Sequence, residues 1–187
     1  KYPQIKCILF VPDLPEYMNF TYKSEFFKYL KKQHKKHLKK SLTCVDGYVF
    51  LTEHMKDWFE AEVKYTVIEG IYNQPNISED VTSKEKVILY SGGLYEEYGV
   101  LDLVKAFRQL KEPDWRLELI GDGSLVQTLT NEVRQDKRII LKGLMPNREV
   151  VKKQKEVSVL VNPRKPNQSF TKYSFPSKTI EYMASGT

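Results

Sequence analysis

The feature that most limits what this chain can fold into is an alternation that starts at Lys86. Short apolar runs closed by glycine or Asn-Pro are separated by stretches of helical period. Val87–Tyr90 leads into Ser91-Gly92-Gly93, Trp115–Ile120 into Gly121-Asp122-Gly123, and Val157–Val161 into Asn162-Pro163, with Arg138–Leu141 a further strand-like run. Between them Val100–Leu110, Ser124–Arg134 and Asn147–Lys155 space their apolar residues as amphipathic helices do. Strands separated by helices have crossover connections, and crossovers join parallel neighbours. The pattern predicts an α/β fold with a doubly wound parallel sheet and a ligand at the carboxyl ends of its strands. Glycine at those ends lets main chain come close to a ligand.

Before Lys86 the same grammar is present in a shorter form. Ile5–Val11, Val45–Leu51 and Lys64–Ile68 read as strands, and Thr52–Glu62 as a short helix with Thr52 at its N-cap and Trp58 and Phe59 turned inward. Phe26, Phe27, Leu30, His34, His37, Leu38 and Leu42 fall near helical spacing, with lysines on the other face. Glu69–Ser83, rich in Asn, Pro, Ser and acidic residues, reads as a linker. The expected organisation is the later part of one α/β domain over 1–68, a linker over 69–83, and a second α/β domain over 84–187. The chain opens on Lys1 and stops after Gly186-Thr187, so both domains are expected to be incomplete.

Composition narrows the function classes. Hydrophobic residues at 41% and charged residues at 29% describe a folded globular chain, and no apolar run has bilayer length. The two cysteines, Cys7 and Cys44, lie in apolar runs, so buried thiols in a reducing, cytoplasmic setting are expected. Charge is concentrated: Thr21–Lys40 holds eight lysines against one glutamate, a local +7 in a chain of net +6. The rest is therefore nearly neutral. Two readings of the Lys23–Lys40 helix stay open. Its lysines are simply solvated, or they rest on anionic lipid, at about 1 kcal/mol per lysine. Nucleic acid is not expected, because no aromatic interleaving or binding motif accompanies the charge. His34, His37 and His54 lack a ligand-like partner set, so no metal is expected. Gly92-Gly93…Gly99 misses the spacing of the dinucleotide fingerprint, and no nucleophile elbow is present. Asp13, at a strand end, either caps a turn or faces the inter-domain cleft.

The richest segment is Lys172-Tyr173-Ser174-Phe175-Pro176-Ser177-Lys178-Thr179-Ile180-Glu181. A helix beginning near Pro176 would present free N–H groups and a positive dipole end, a natural phosphate site. Lys178 and Lys172 would add full charge. Glu181 would follow about 7–8 Å along the axis, the span from a diphosphate to a ribose, whose hydroxyls a carboxylate accepts well. The alternative is a surface glutamate paired with Lys178.

Several of these pieces together resemble the retaining, nucleotide-sugar-dependent glycosyltransferases of group 1 (family 4), which have a GT-B fold of two Rossmann-like domains. Glu181 with Met183-Ala184-Ser185-Gly186 is similar to the second half of their glutamate-x7-glutamate motif. Ile120-Gly121-Asp122-Gly123 resembles their strand-end Gly-Asp-Gly, Tyr90-Ser91-Gly92-Gly93 their glycine loop, and Leu141-Lys142-Gly143-Leu144-Met145 the loop that holds the base. Val45-Asp46-Gly47-Tyr48 to Thr52-Glu53-His54-Met55 resembles the last part of the N-terminal domain. The resemblance implies transfer of a hexose from a UDP- or GDP-sugar to a glycan or lipid-linked acceptor with retention. It also implies polysaccharide biosynthesis on the cytoplasmic side, at the inner face of the membrane. The implied nucleotide-sugar site comprises Gly92, Gly93, Gly121, Gly143, Leu144, Met145, Arg164, Lys172, Tyr173, Ser177, Lys178 and Glu181, with no cofactor and no assigned catalytic residue. Tyr173 stands where the family has its first glutamate, which leaves Tyr173, Gln168 or Ser169 to meet the sugar. Gly92–Gly99 lacks the usual Arg and Lys, which leaves the diphosphate to Arg164, Lys172 or Lys178. The alternative is a non-catalytic nucleotide-binding fragment or scaffold, and a truncated chain is expected to be inactive alone.

Overall fold

Crossover connections require parallel pairing, and every strand pair among the described residues is parallel. The computed structural model describes residues 4–15, 32–33, 36–38, 40–59, 61–71, 83–165 and 171–187. The chain divides into two compact units, Lys1–Ile71 with Ser169–Phe175, and Tyr72–Gln168 with Pro176–Thr187. Most of the helix expected over Lys23–Lys40, including His34, most of the linker expected over Glu69–Ser83, and Gln168 and Ser169 lie outside the described residues.

In the first unit, β1 (Ile8–Val11), β2 (Gly47–Phe50) and β3 (Tyr65–Val67) form a sheet in that order. Side chains alternate across a strand, so Val11, Tyr48 and Phe50 share a face and bury against Leu14, Met55 and Trp58. Ile8 and Phe10 point the other way and are exposed. Leu38 and Leu42 of the lysine-rich segment pack on the buried side.

Two local expectations are corrected here. Residues Glu53–Trp58 form a 3-10 turn rather than an α-helix through Glu62, because Phe59 is extended at φ −86°, ψ 137° and ends it. That break lets Trp58 bury while the Phe59 ring meets Tyr48 at 4.8 Å and Phe50 at 5.3 Å. Thr52 holds the N-cap position without capping; its hydroxyl donates instead to the Lys172 carbonyl at 2.9 Å. Second, Cys7 and Cys44 are both exposed. β1 begins only at Ile8, and Cys44 sits in a turn whose N–H donates to the Ser41 carbonyl, so neither thiol lies inside a strand.

In the second unit, β4 (Glu85–Ser91), β5 (Arg116–Ile120), β6 (Ile139–Gly143) and β7 (Val157–Leu160) are ordered β6-β5-β4-β7. Helices α1 (Val100–Phe107), α2 (Val126–Gln135), α3 (Asn147–Glu156) and α4 (Ser177–Ser185) connect or follow them. Leu117 and Leu119 of β5 pack with Val100, Val104, Phe107 and Leu129 on one face. Val87, Leu89 and Ile120 pack with Val150 and Val157 on the other. Two covered faces are what an all-parallel sheet needs, and they explain the nearly unbroken apolar strands. The chain runs outward from β4 to β6 and then returns to the other side of β4. Strand order reverses there, and such a switch point opens a crevice at the carboxyl ends. The sheet thus matches the predicted α/β class.

Candidate functional site

At those carboxyl ends lies a cleft of about 350 Å³. Its floor is main chain from three loops laced together. The Gly92 N–H donates to the Ile120 carbonyl at 2.9 Å, Gly121 to Gly143 at 2.9 Å, and Leu94 to Asp122 at 2.8 Å. Gly121 has φ 145°, and a Cβ there would stand 1.8 Å from the Gly92 carbonyl oxygen. Only glycine permits that approach. Beneath the floor, the Tyr90 hydroxyl donates to the Gly93 carbonyl at 2.8 Å. The buried Tyr182 hydroxyl accepts from the Ser91 N–H at 3.1 Å. Burial pushes both phenols above their ordinary range; Arg164, whose charge opposes that shift, is felt at Tyr90.

The wall is made by α4 and α3. α4 starts after Pro176, whose carbonyl accepts the Thr179 N–H, and closes at Gly186 with φ 75°. Lys178, in its first turn, borders the cleft; a Cβ on Gly92 would touch Lys178 Cε at 3.7 Å. One turn later Glu181 approaches Lys178 Nζ at 3.8 Å and accepts a short hydrogen bond from Gln154 Nε2, keeping 17% of its side chain exposed. Glu181 is thus ion-paired, as the paired-glutamate alternative has it, with a residue that itself borders the cleft.

Of the sequence-predicted residues, Gly92, Gly93, Gly121, Leu144, Met145 and Lys178 line this cleft. Leu144 projects at its rim, 77% exposed. Gly143 contributes its carbonyl to the floor, Ser177 is the first residue of α4, and Glu181 lies against Lys178. Lys172 and Tyr173 belong to the first unit. There Lys172 Nζ sits 4.7 Å over the Tyr173 ring, and Tyr173 packs on the first core. The cleft also has lining that the sequence reading missed: Ser91, Tyr95, Asp122, Asn147 and Val150. Ser91 and Asp122 flank recognised glycines and were within reach. Tyr95 and Asn147 carry no sequence signal. Asp13 borders a separate, apolar cleft of about 190 Å³ in the first unit, with Phe10, Trp58 and Phe59.

Comparison with known proteins bears on this geometry. The structure is similar to Anabaena Alr3699/HepE in complex with UDP, at TM-score 0.66 and 13% identity over 97% of this chain and 52% of that one. It is similar to TarM at 0.62 and 16%, over 96% and 35%, and to the galactosyltransferase WaaB of the lipopolysaccharide outer core at 0.56 and 24%, over 82% and 44%. At such identities the likeness is one of fold, and the chain spans about half or less of each relative's length. No curated protein matches the sequence. A family profile described as "Glycosyl transferases group 1" matches residues 85–187, more than half of the chain, and the chain belongs to that family.

Proposed function

We propose that this chain carries the nucleotide-sugar donor site of a retaining hexosyltransferase, with the glycine-laced cleft holding a nucleoside diphosphate. The observation that carries the reading is the meeting of a main-chain floor with Lys178 over Gly92. A helix start and a lysine are groups that neutralise a diphosphate as it leaves, and a floor without side chains leaves room for it to come close. Lys178 takes the place of the cations absent from Gly92–Gly99, and Glu181 receives the ribose hydroxyls. Leu144 and Met145 lie beside the base, and Arg164 acts on the diphosphate from beyond β7. In the whole protein, two Rossmann-like domains of the GT-B type present the donor to a glycan or lipid-linked acceptor. The enzyme works in the cytoplasm, at the inner face of the membrane, with the Lys23–Lys40 segment against anionic lipid. Among the described residues no helix is long and apolar enough to cross a membrane; the contact proposed is a peripheral one. Since the chain spans about half or less of its relatives' length, turnover is assigned to the longer protein.

A second reading, binding without catalysis, is favoured by one observation. Tyr173, where the family has a glutamate for the sugar, packs on an apolar core. Calorimetric titration with UDP and GDP, and sugar transfer by this chain and by the longer protein, separate the two. One of the nucleotides binds in the micromolar range, and Glu181→Ala weakens it about tenfold, or 1.4 kcal/mol. Affinity that survives Glu181→Ala removes the role given to that carboxylate. Binding with no transfer by either length leaves the second reading standing.

A further inference from the structure

Gln154 is polar, fully buried, and part of no motif. It lies on α3 between Lys153 and Lys155, yet helical period places it on the inward face one turn after Val150. Its Nε2 donates to Ser91 Oγ at 3.2 Å and to Glu181 Oε1. Both hydrogens of the amide are therefore used, one on the strand end that borders the cleft and one on the helix opposite. Its Oε1 is buried and has no hydrogen-bond partner among the described residues.

That arrangement is costly as packing. A buried carbonyl without a partner destabilises a fold, and an apolar side chain of equal volume would not. What the amide supplies, and methionine cannot, is two directed donors. Lys178 does not substitute for them, because its 3.8 Å approach to Glu181 is an ion pair beyond hydrogen-bond range. It also faces the cleft, where a bound anion would compete for it. Gln154 is the contact that fixes Glu181 whether or not Lys178 stays.

We infer that Gln154 is a positioning residue for the nucleoside, holding Glu181 Oε1 so that the other carboxylate oxygen meets the ribose hydroxyls without first being ordered. This rests on the ribose role proposed for Glu181. Fixing a flexible carboxylate in advance removes an ordering cost from binding, so losing the amide should cost affinity while sparing the fold.

The test uses the whole chain, titrated with whichever of UDP or GDP binds tighter and with its 2′,3′-dideoxy analogue. Gln154→Met should keep or raise the melting temperature and weaken the ribonucleotide about tenfold, with the dideoxy analogue bound as by the unmodified chain. Gln154→Glu, which keeps the shape and sets a second carboxylate against Glu181, should weaken the ribonucleotide further. It also keeps the question open to an answer if Gln154→Met does not fold. Ribonucleotide affinity unchanged in both variants, while Glu181→Ala loses it, overturns the positioning role and leaves the ribose role intact. Equal losses for both nucleotides together with a lower melting temperature mark a packing residue only, and overturn it too. Unchanged affinity in Glu181→Ala removes the reading on which the inference stands.

Discussion

The floor and the wall of the cleft are built on opposite principles. The floor is main chain: the Gly92 N–H donates to the Ile120 carbonyl and the Gly121 N–H to the Gly143 carbonyl across three loops, and its geometry depends on the absence of side chains. The wall is side chain: Lys178 borders the cleft, and Glu181 and Gln154 stand behind it, reaching one another from α4 and α3. A floor of this kind fixes the shape of the cleft through its own hydrogen bonds and has little room to change. A wall of this kind sets how strongly the nucleotide is held and can be retuned one residue at a time. Substitutions should therefore fall into two classes, with the floor failing structurally and the wall failing in affinity alone.

The largest effect should come from Gly121→Ala. A methyl group there meets the Gly92 carbonyl at 1.8 Å, backbone against backbone, at a φ of 145° that alanine rarely adopts. Neither side can move without parting β4 from β5. A loss of at least about 3 kcal/mol is expected in urea unfolding, together with loss of nucleotide binding by more than about a hundredfold. Wild-type stability in this variant would break the distinction at its base.

Lys178→Ala should behave in the contrary way. Nucleotide affinity falls about tenfold, or 1.4 kcal/mol, and its dependence on salt flattens as one charge is lost. Stability stays within about 0.5 kcal/mol, since the side chain is over one-third exposed and its pair with Glu181 spans 3.8 Å. Lys178→Arg should restore part of the affinity. Equal losses of stability and affinity would instead make Lys178 part of the scaffold.

The same division explains what could be read from the sequence. Floor residues were legible because a glycine at a strand end states a backbone requirement at the residue itself, as at Gly92 and Gly121. The parallel sheet was legible because apolar strands alternate with helical spacing. The wall depends on which side chains from distant elements meet. Glu181 could be placed by resemblance, but Gln154, set among Lys152, Lys153 and Lys155, reads as a solvated residue until α3 is seated with Val150 and Val151 inward. Strand ends were the weak point in the first unit. One residue decides whether Cys7 lies in β1 or before it, and the extended backbone of Phe59 has no local signal that separates a 3-10 turn from a longer helix.

The smallest effect comes from beneath the floor and is read by pH. Tyr90 donates to the Gly93 carbonyl at 2.8 Å and so supports a loop that otherwise holds itself. Tyr90→Phe should cost about 1 kcal/mol at neutral pH, the usual net value of one hydrogen bond. Burial, reinforced by the neighbouring Tyr182 and Tyr98, raises the Tyr90 phenol above its ordinary 10.0, and burial does the same at Tyr182. The folded state therefore keeps these protons to higher pH than the unfolded chain does. Their contribution is fully present below about pH 10 and is lost as pH climbs toward the raised folded values. Urea unfolding of the unmodified chain should give a stability with no tyrosine-linked change from pH 8 to 10 and a decline above it. Tyr90→Phe should start lower and decline less steeply, by up to about 1.4 kcal/mol per pH unit for the one phenol removed. An unchanged alkaline slope would mean that Tyr90 ionises as freely in the folded chain as in the unfolded one, and unchanged stability at neutral pH would mean that the floor needs nothing beneath it.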